Sequence, residues 1–281
     1  MKTVGIVACS DAQKVQWAGQ NRNLVTFLTS LGCQVRESAC IYEKHSVFSG
    51  TGRERAAELM KLFEDPEVEE IYDISGGDVA NQVLDYLDYD AIAKSRAVFW
   101  GYSDLTTVIN AIYAQTGKSS VLYQVKNMVY GDCAQLQRER FQNREELFSP
   151  AFTFVQGESM EGTVVGGNIR CFLKLAGTRY FPDCTGKVLL LESLGGDVPQ
   201  MAAYLAQLTQ MGVFDKLTGI LLGTFTSMEA KGRTPDFLTL LKECVTDTMP
   251  IAVTREIGHG NDSKAIRIGA PFRLKAPGTG A

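Results

Sequence analysis

The chain has 281 residues, 45% of them hydrophobic and 21% charged, with 28 Lys+Arg against 32 Asp+Glu and a formal net charge of -4. That is enough chain for two ordinary domains or one large one with a buried core, and it lacks the basic footprint of a nucleic-acid binder. Its two histidines, His45 and His259, exclude a multi-histidine metal site and leave two candidates for a histidine base.

Ile6-Val7-Ala8-Cys9 has the form of a lipoprotein cleavage site, but the apolar run Val4–Ala8 is too short for a signal core. Thr3–Ala8 reads instead as a strand buried on both faces. Leu24, Phe27, Leu28 and Leu31 then predict a helix that Gly32 ends, and Cys33–Glu37 a second strand. Ala56, Leu59, Met60 and Phe63 predict a helix closed near Pro66. Val68–Ile74 reads as a strand running into Gly76-Gly77, followed by a short helix with Val79, Val83, Leu84 and Leu87 inward. Ala97–Trp100 is a strand, Leu105–Tyr113 a helix and Val121–Val125 a strand. Strands alternating with helices imply a parallel sheet covered on both faces.

Residues 135–150 are polar, with Arg138, Glu139, Arg140, Arg144, Glu145 and Glu146, and end in proline. They read as a connection between domains, the alternative being a surface helix inside one domain. Beyond it, Phe152–Gln156 and Gly162–Val165 are strands before Gly166-Gly167-Asn168, and Ile169–Leu175 is helical. Lys187–Leu191 is an apolar strand ending in Glu192. Asp197 can cap a helix with Met201, Tyr204, Leu205 and Leu208 on one face. Gly219–Phe225 is a strand, Phe237–Val245 a helix, and Ile251–Ile257 and Ala265–Ile268 strands joined through Gly258-His259-Gly260. Ala276–Ala281 reads as a frayed tail. The expected division is an N-terminal domain over 1–134, a connecting segment over 135–160 and a C-terminal α/β domain over 161–281. Seven scattered cysteines with no C-x-x-C pair argue against a zinc knuckle or disulfide framework and fit a reducing cytosol. No apolar stretch approaches the about 18–20 residues of a membrane span, so a soluble, cytoplasmic protein without membrane or nucleic-acid partner is expected.

Three places could carry chemistry. Gly101-Tyr102-Ser103-Asp104 joins a strand to a helix, where a serine hydroxyl projects at the sheet's C-terminal edge and helix-start N–H groups could stabilise an oxyanion. The competing reading is a simple N-cap. Ser75-Gly76-Gly77-Asp78 lies at a similar turn, either a tight βα connection or a loop presenting N–H groups to a ligand. No phosphate-loop or dinucleotide fingerprint is present, which disfavours a nucleotide-binding reading. Glu192, at the end of an apolar run, could orient a histidine or bond a loop N–H. His259, between two glycines, is the better base; His45 sits in the polar stretch Glu43-Lys44-His45-Ser46 and reads as solvated.

The ordered fragments Gly76-Gly77, Asn81-Gln82, Leu87-Asp88-Tyr89-Asp90, Trp100-Gly101-Tyr102-Ser103-Asp104, Gly166-Gly167-Asn168, Ala176-Gly177-Thr178, Leu189-Leu190-Leu191-Glu192 and Gly258-His259-Gly260 run through most of the chain. Together they resemble the serine L,D-carboxypeptidase family, which includes the microcin C self-immunity peptidases. The resemblance implies Ser103 as nucleophile, His259 as base, Glu192 as its orienting partner, and the Gly77 and Asp104 N–H groups as the oxyanion hole. It implies a flavodoxin-like N-terminal domain and a smaller α/β C-terminal domain with the site in the cleft between them, a homodimer, and no cofactor or metal. Asp78 and Asn168 are candidate substrate contacts. The expected reaction is release of terminal D-alanine from a murein tetrapeptide. The alternatives are cleavage of an aminoacyl-adenylate-like amide, as in the self-immunity branch, and a non-catalytic small-ligand binder of the same fold. Asn81-Gln82 and Asn110-Ala111-Ile112-Tyr113 look closer to that branch. Val121–Val125 stands where a Gly-Pro turn is expected, and Asp78-Val79 where an aromatic or asparagine is. Residues 42–52 are a candidate cleft-closing loop.

Overall fold

The computed structural model describes residues 1–277. Its strands form two six-stranded sheets. The first takes β1 (Lys2–Val7), β2 (Cys33–Glu37), β3 (Val68–Asp73), β4 (Val98–Gly101) and β5 (Ser120–Leu122), with helices α1 (Ala18–Ser30), α2 (Gly52–Glu64), α3 (Tyr89–Lys94) and α4 (Thr106–Thr116) between them. The parallel strands run in the order β5-β4-β3-β1-β2, the flavodoxin-like arrangement whose ligand crevice opens at the strand C-termini where the order reverses. The 7-residue turn Ala80–Tyr86 is 3-10 rather than α-helical. α3, capped by Asp88 accepting from Ala91 N–H at 3.0 Å, is too short to register as a hydrophobic period.

The polar stretch after β5 folds as α5 (Ala134–Gln142) and α6 (Arg144–Leu147). Phe141 and Leu147 are buried in the cluster of Trp100 and Tyr123, and the Arg144 guanidinium stands 4.7 Å from the Trp100 ring centroid. Charge hid these anchors: the arginine packs its planar head on an aromatic face rather than facing water.

The second sheet holds β6 (Thr153–Gln156), β7 (Ser159–Asn168), β8 (Lys187–Ser193), β9 (Gly219–Phe225), β10 (Ile251–Val253) and β12 (Pro271–Lys275), in the order β12-β7-β8-β9-β10-β6. Its central four strands are parallel and its two edges antiparallel. Around it lie α7 (Ile169–Leu173), α8 (Val198–Gln210), α9 (Thr226–Ala230) and α10 (Phe237–Lys242). Asp197 opens α8 in a capping box with Gln200. β11 (Ile266–Ile268) returns to the first sheet and pairs antiparallel with β5. The strand predicted to reach Ile257 ends at Val253, freeing the segment that bears His259. Of the tail predicted over Ala276–Ala281, Ala276 is fastened, its N–H donating to the Glu158 carbonyl at 2.7 Å; the last four residues lie outside the described ones. Among the described residues no helix is long and apolar enough to cross a membrane.

The sheets meet through α4. Asn110, fully buried, donates from Nδ2 to the Gly166 carbonyl and accepts from the Gly166 N–H through Oδ1, both at 2.9 Å. One turn earlier, Thr106 Oγ1 accepts from Asn168 N–H at 3.1 Å. A side-chain amide thus supplies the bonds that a neighbouring strand would give β7. Asn110→Ala leaves both Gly166 groups buried without partners, so a loss of about 2–4 kcal/mol is expected in urea unfolding; a loss within 0.5 kcal/mol, the range of an ordinary surface change, would show that α4 docks by apolar contact alone.

Candidate active site

β4 ends at Gly101 and α4 begins at Thr106; between them Ser103–Leu105 form a 3-10 turn. Ser103 has φ +54, one of two non-glycine residues in the left-handed region among the described residues. Strain of this kind in a strand-to-helix turn lifts a serine hydroxyl out of the backbone path. The N-cap of that turn is Tyr102 and that of α4 is Leu105, so Ser103 caps neither.

Glu192 and His259 come together in the second half. β9 carries an extra residue opposite Glu192, so the register passes from Leu191↔Leu222 to Ser193↔Phe225. The bulged Thr224 then donates its N–H to the Ile257 carbonyl at 2.9 Å, holding the His259 loop to β9. Glycine is required at 258, since a Cβ there would run into the Thr224 hydroxyl. Glu192, fully buried, receives His259 Nδ1 on Oε2 at 2.8 Å, which fixes the imidazole with Nε2 pointing away. His259 Nε2 is buried and has no partner. Buried polar groups are nearly always bonded, so an unpartnered ring nitrogen marks a place for an incoming proton donor.

Tyr102 joins the two halves. Its buried hydroxyl lies 3.2 Å from Glu192 Oε2 and 3.3 Å from His259 Nδ1, and its ring meets the imidazole edge-on at 4.7 Å. Burial, and then the Glu192 charge, push its phenol well above the ordinary range, so it stays a hydrogen-bond donor. Ser103 follows Tyr102 directly in the sequence. His45 is exposed and exchanges backbone hydrogen bonds with Phe48, its sole partner among the described residues.

Lys174 bridges Asp104 to the turn that holds Gly77. Asp104 is fully buried; Oδ2 accepts from the Ser10 hydroxyl at 2.6 Å and from Ala80 N–H at 2.8 Å, and Oδ1 pairs with Lys174 at 2.5 Å. Lys174 also donates to the Asp78 carbonyl at 2.8 Å, and Arg170 to the Gly77 carbonyl at 3.1 Å. α7 and the residue following it therefore pin both turns from the other sheet. Gly77 has φ +127, and a Cβ there would strike the Asp11 carboxylate. Neither the Gly77 nor the Asp104 N–H meets a protein acceptor among the described residues. The Asp78 carboxylate pairs with Arg170. Asn168 is buried, its Oδ1 accepting from Cys171 N–H at 3.3 Å as the cap of α7.

Beside His259 opens a cavity of about 490 Å³ whose walls include Trp17, Tyr102, Gln124, Lys126, Tyr130 and Leu194. The 42–52 segment is fastened along its length: Glu43 N–H donates to the Gln13 carbonyl at 3.0 Å and Ala12 N–H to the Val47 carbonyl at 2.8 Å. Sequence reasoning passed over Asp11, Trp17, Lys126 and Lys174, whose partners lie far along the chain. Tyr102 alone carried a signal, its position before Ser103.

Two parallel-dominated sheets covered by helices define a two-domain α/β protein. Residues 4–123 match the LD-carboxypeptidase N-terminal domain and residues 161–274 the LD-carboxypeptidase C-terminal domain. The chain belongs to the LD-carboxypeptidase family, a family of peptidases. The probable murein peptide carboxypeptidase of Bacillus subtilis is 31% identical over 288 residues, spanning 95% of this chain and 87% of that protein. The structure resembles the microcin C7 self-immunity protein MccF in complex with aspartyl sulfamoyl adenosine, with TM-score 0.85, 21% identity, and 98% and 93% of the two chains covered. It also resembles muramoyltetrapeptide carboxypeptidase from Oxalobacter formigenes, with TM-score 0.82, 23% identity, and 98% and 95% covered.

Lys174 neutralises a fully buried carboxylate whereas Asp78 is largely exposed. Lys174→Met is expected to lower stability by about 3 kcal/mol and Asp78→Ala by less than about 1 kcal/mol in urea unfolding. Equal losses would mean that Asp104 does not depend on Lys174 for its charge.

Proposed function

We propose that the protein is a serine carboxypeptidase releasing the terminal D-alanine of a murein tetrapeptide. The observation that carries this reading is His259, held through Nδ1 by Glu192 with Nε2 buried and unpartnered, beside Tyr102, the residue that precedes the strained Ser103. Ser103 Oγ attacks the amide carbonyl carbon as its proton passes to His259 Nε2. The carbonyl oxygen, now negative, lies against the N–H groups of Gly77 and Asp104. His259 returns the proton to the departing D-alanine amine as the C–N bond breaks, leaving an acyl ester on Ser103. Water, deprotonated by the same nitrogen, then frees the peptide acid. Glu192 remains ionised throughout and stabilises the imidazolium. Tyr102 donates to the same carboxylate and restrains its rotation.

A second reading, cleavage of an amide joining an acidic amino acid to a nucleotide-like group, is favoured by the aromatic walls of the cavity at Trp17 and Tyr130. The free cysteines suit a reducing, cytoplasmic setting, and a homodimer is the assembly expected from the family.

The test incubates wild type, Ser103→Ala, His259→Ala and His45→Ala with L-Ala-D-Glu-meso-diaminopimelate-D-Ala, and separately with an aspartyl sulfamoyl adenosine analogue, following products by mass spectrometry. Loss of D-alanine in wild type, a drop of about 10³-fold or more in Ser103→Ala and His259→Ala, and an unchanged rate in His45→Ala are expected. Cleavage of the analogue alone would move the assignment to the second reading. Cleavage of neither between pH 6 and 9 would leave a ligand-binding protein of this fold.

A further inference from the structure

Lys126 is the one charged side chain, His259 aside, among the described residues lining the cavity. It stands in the 3-10 turn Val125–Met128 that follows β5. Its Nζ donates to the neutral Gln13 Oε1 at 2.6 Å and lies 5.0 Å from the Trp17 ring centroid. Lys14 approaches the same ring at 5.6 Å. No carboxylate pairs with Lys126 among the described residues, and burial pushes its ammonium below the usual lysine range with no acid to offset it. An amide oxygen and an aromatic face are weak substitutes for a counter-ion around a half-buried cation. Gln20, Gln124, Asn127 and Asn261 complete the polar wall without adding charge. The cavity therefore has one uncompensated positive charge, and its natural complement is an anion.

We propose that Lys126 is an anion-binding, specificity-determining residue of this cleft, holding an oxyanion of the ligand while His259 faces the reacting bond. The oxyanion is a carboxylate if the ligand is a peptide and a phosphate-like group if it is nucleotide-like. This deepens the hydrolase reading and rests on it only for the reacting bond; the charge complementarity stands on the cavity itself. A lysine suits the task because a compact, hydrated ammonium on a flexible stem can accept either anion. Trp17 shields its flank, so bulk salt competes less than at an open surface.

Trp17 reports on this wall, while Trp100, the other tryptophan, is buried in the core of the first sheet. The full chain is titrated with N-acetyl-D-alanine and with AMP, and with their neutral counterparts N-acetyl-D-alaninamide and adenosine, following tryptophan fluorescence with Trp17→Phe as background. At least one anion is expected to give a saturable change, with its neutral counterpart weaker by about tenfold or more. Lys126→Met should weaken the anion by a similar factor and leave the neutral ligand unchanged, with Lys126→Arg retaining most of the affinity. Tighter binding of the carboxylate marks a peptide ligand, and of the phosphate a nucleotide-like one. The proposal is overturned if no anion saturates, if acid and amide bind alike to wild type, or if Lys126→Met binds the anion as wild type does. The comparison of acid with amide on wild type decides even where a variant fails to fold. Wild type that binds anions through Lys126 but cleaves neither the tetrapeptide nor the sulfamoyl analogue overturns the hydrolase reading alone. Tetrapeptide cleavage with the same KM in wild type and Lys126→Met overturns the Lys126 assignment alone.

Discussion

The bidentate bond between the Asn110 amide and the Gly166 backbone is the constraint on which the site depends. α4 begins where the Ser103 turn ends, and β7 lies beside β8, with Asn168 opposite Glu192. Fixing α4 to the end of β7 therefore fixes a serine on one sheet relative to a carboxylate on the other. An apolar contact of similar area would allow sliding, because dispersion and hydrophobic burial are not directional. Two parallel hydrogen bonds, buried and fully satisfied, admit one register. Thr106 repeats the restraint one turn away, and Gly167 gives its hydroxyl room where a Cβ would lie 2.8 Å from it.

Around that joint, groups of one half of the molecule meet polar partners in the other. Lys174 meets Asp104, Arg170 holds the Gly77 carbonyl, and Tyr102 meets Glu192. Beneath the first sheet's C-terminal edge, Arg55 is fully buried and donates to the Ser10 carbonyl at 3.2 Å and to Gln82 Oε1 at 2.6 Å. Asp73 accepts from Cys9 N–H and Ser75 N–H, each at 2.8 Å. These bonds hold the loops after β1 and β3 in fixed shapes, the condition for N–H groups to act as a preorganised electrostatic site.

Much of this architecture was legible in the residues. Leucine and alanine periods marked α1, α2 and α8, and the apolar runs at Val4, Val68, Leu189 and Ile220 marked buried strands. Ser103, Glu192 and His259 were singled out because each ends an apolar run at a glycine-rich or strand-end turn, and the structure joins Glu192 directly to His259. What stayed hidden was every relation between distant segments. Asn110 drew notice only as part of a helix, and nothing in its neighbourhood says that it replaces a strand. α5 and α6 looked like a linker since arginines and glutamates outnumber the apolar anchors Phe141 and Leu147. Lys126 is one lysine among many in the sequence; its meaning comes from Gln13 and Trp17, more than a hundred residues earlier. β11 was recognised as a strand, but three residues carry no information about which sheet they will join.

That last strand has a consequence for biosynthesis. β5 pairs on one side with β4, and its other edge is covered only by residues 266–268. A chain emerging from the ribosome N-terminus first can assemble β1–β5 early, yet that sheet keeps an open, apolar edge until almost the whole polypeptide has been made. Open edges of this kind template pairing with other chains. Between synthesis of Leu122 and of Ile266 the β5 edge thus lacks its covering strand, and a truncation anywhere within that interval would leave it uncovered.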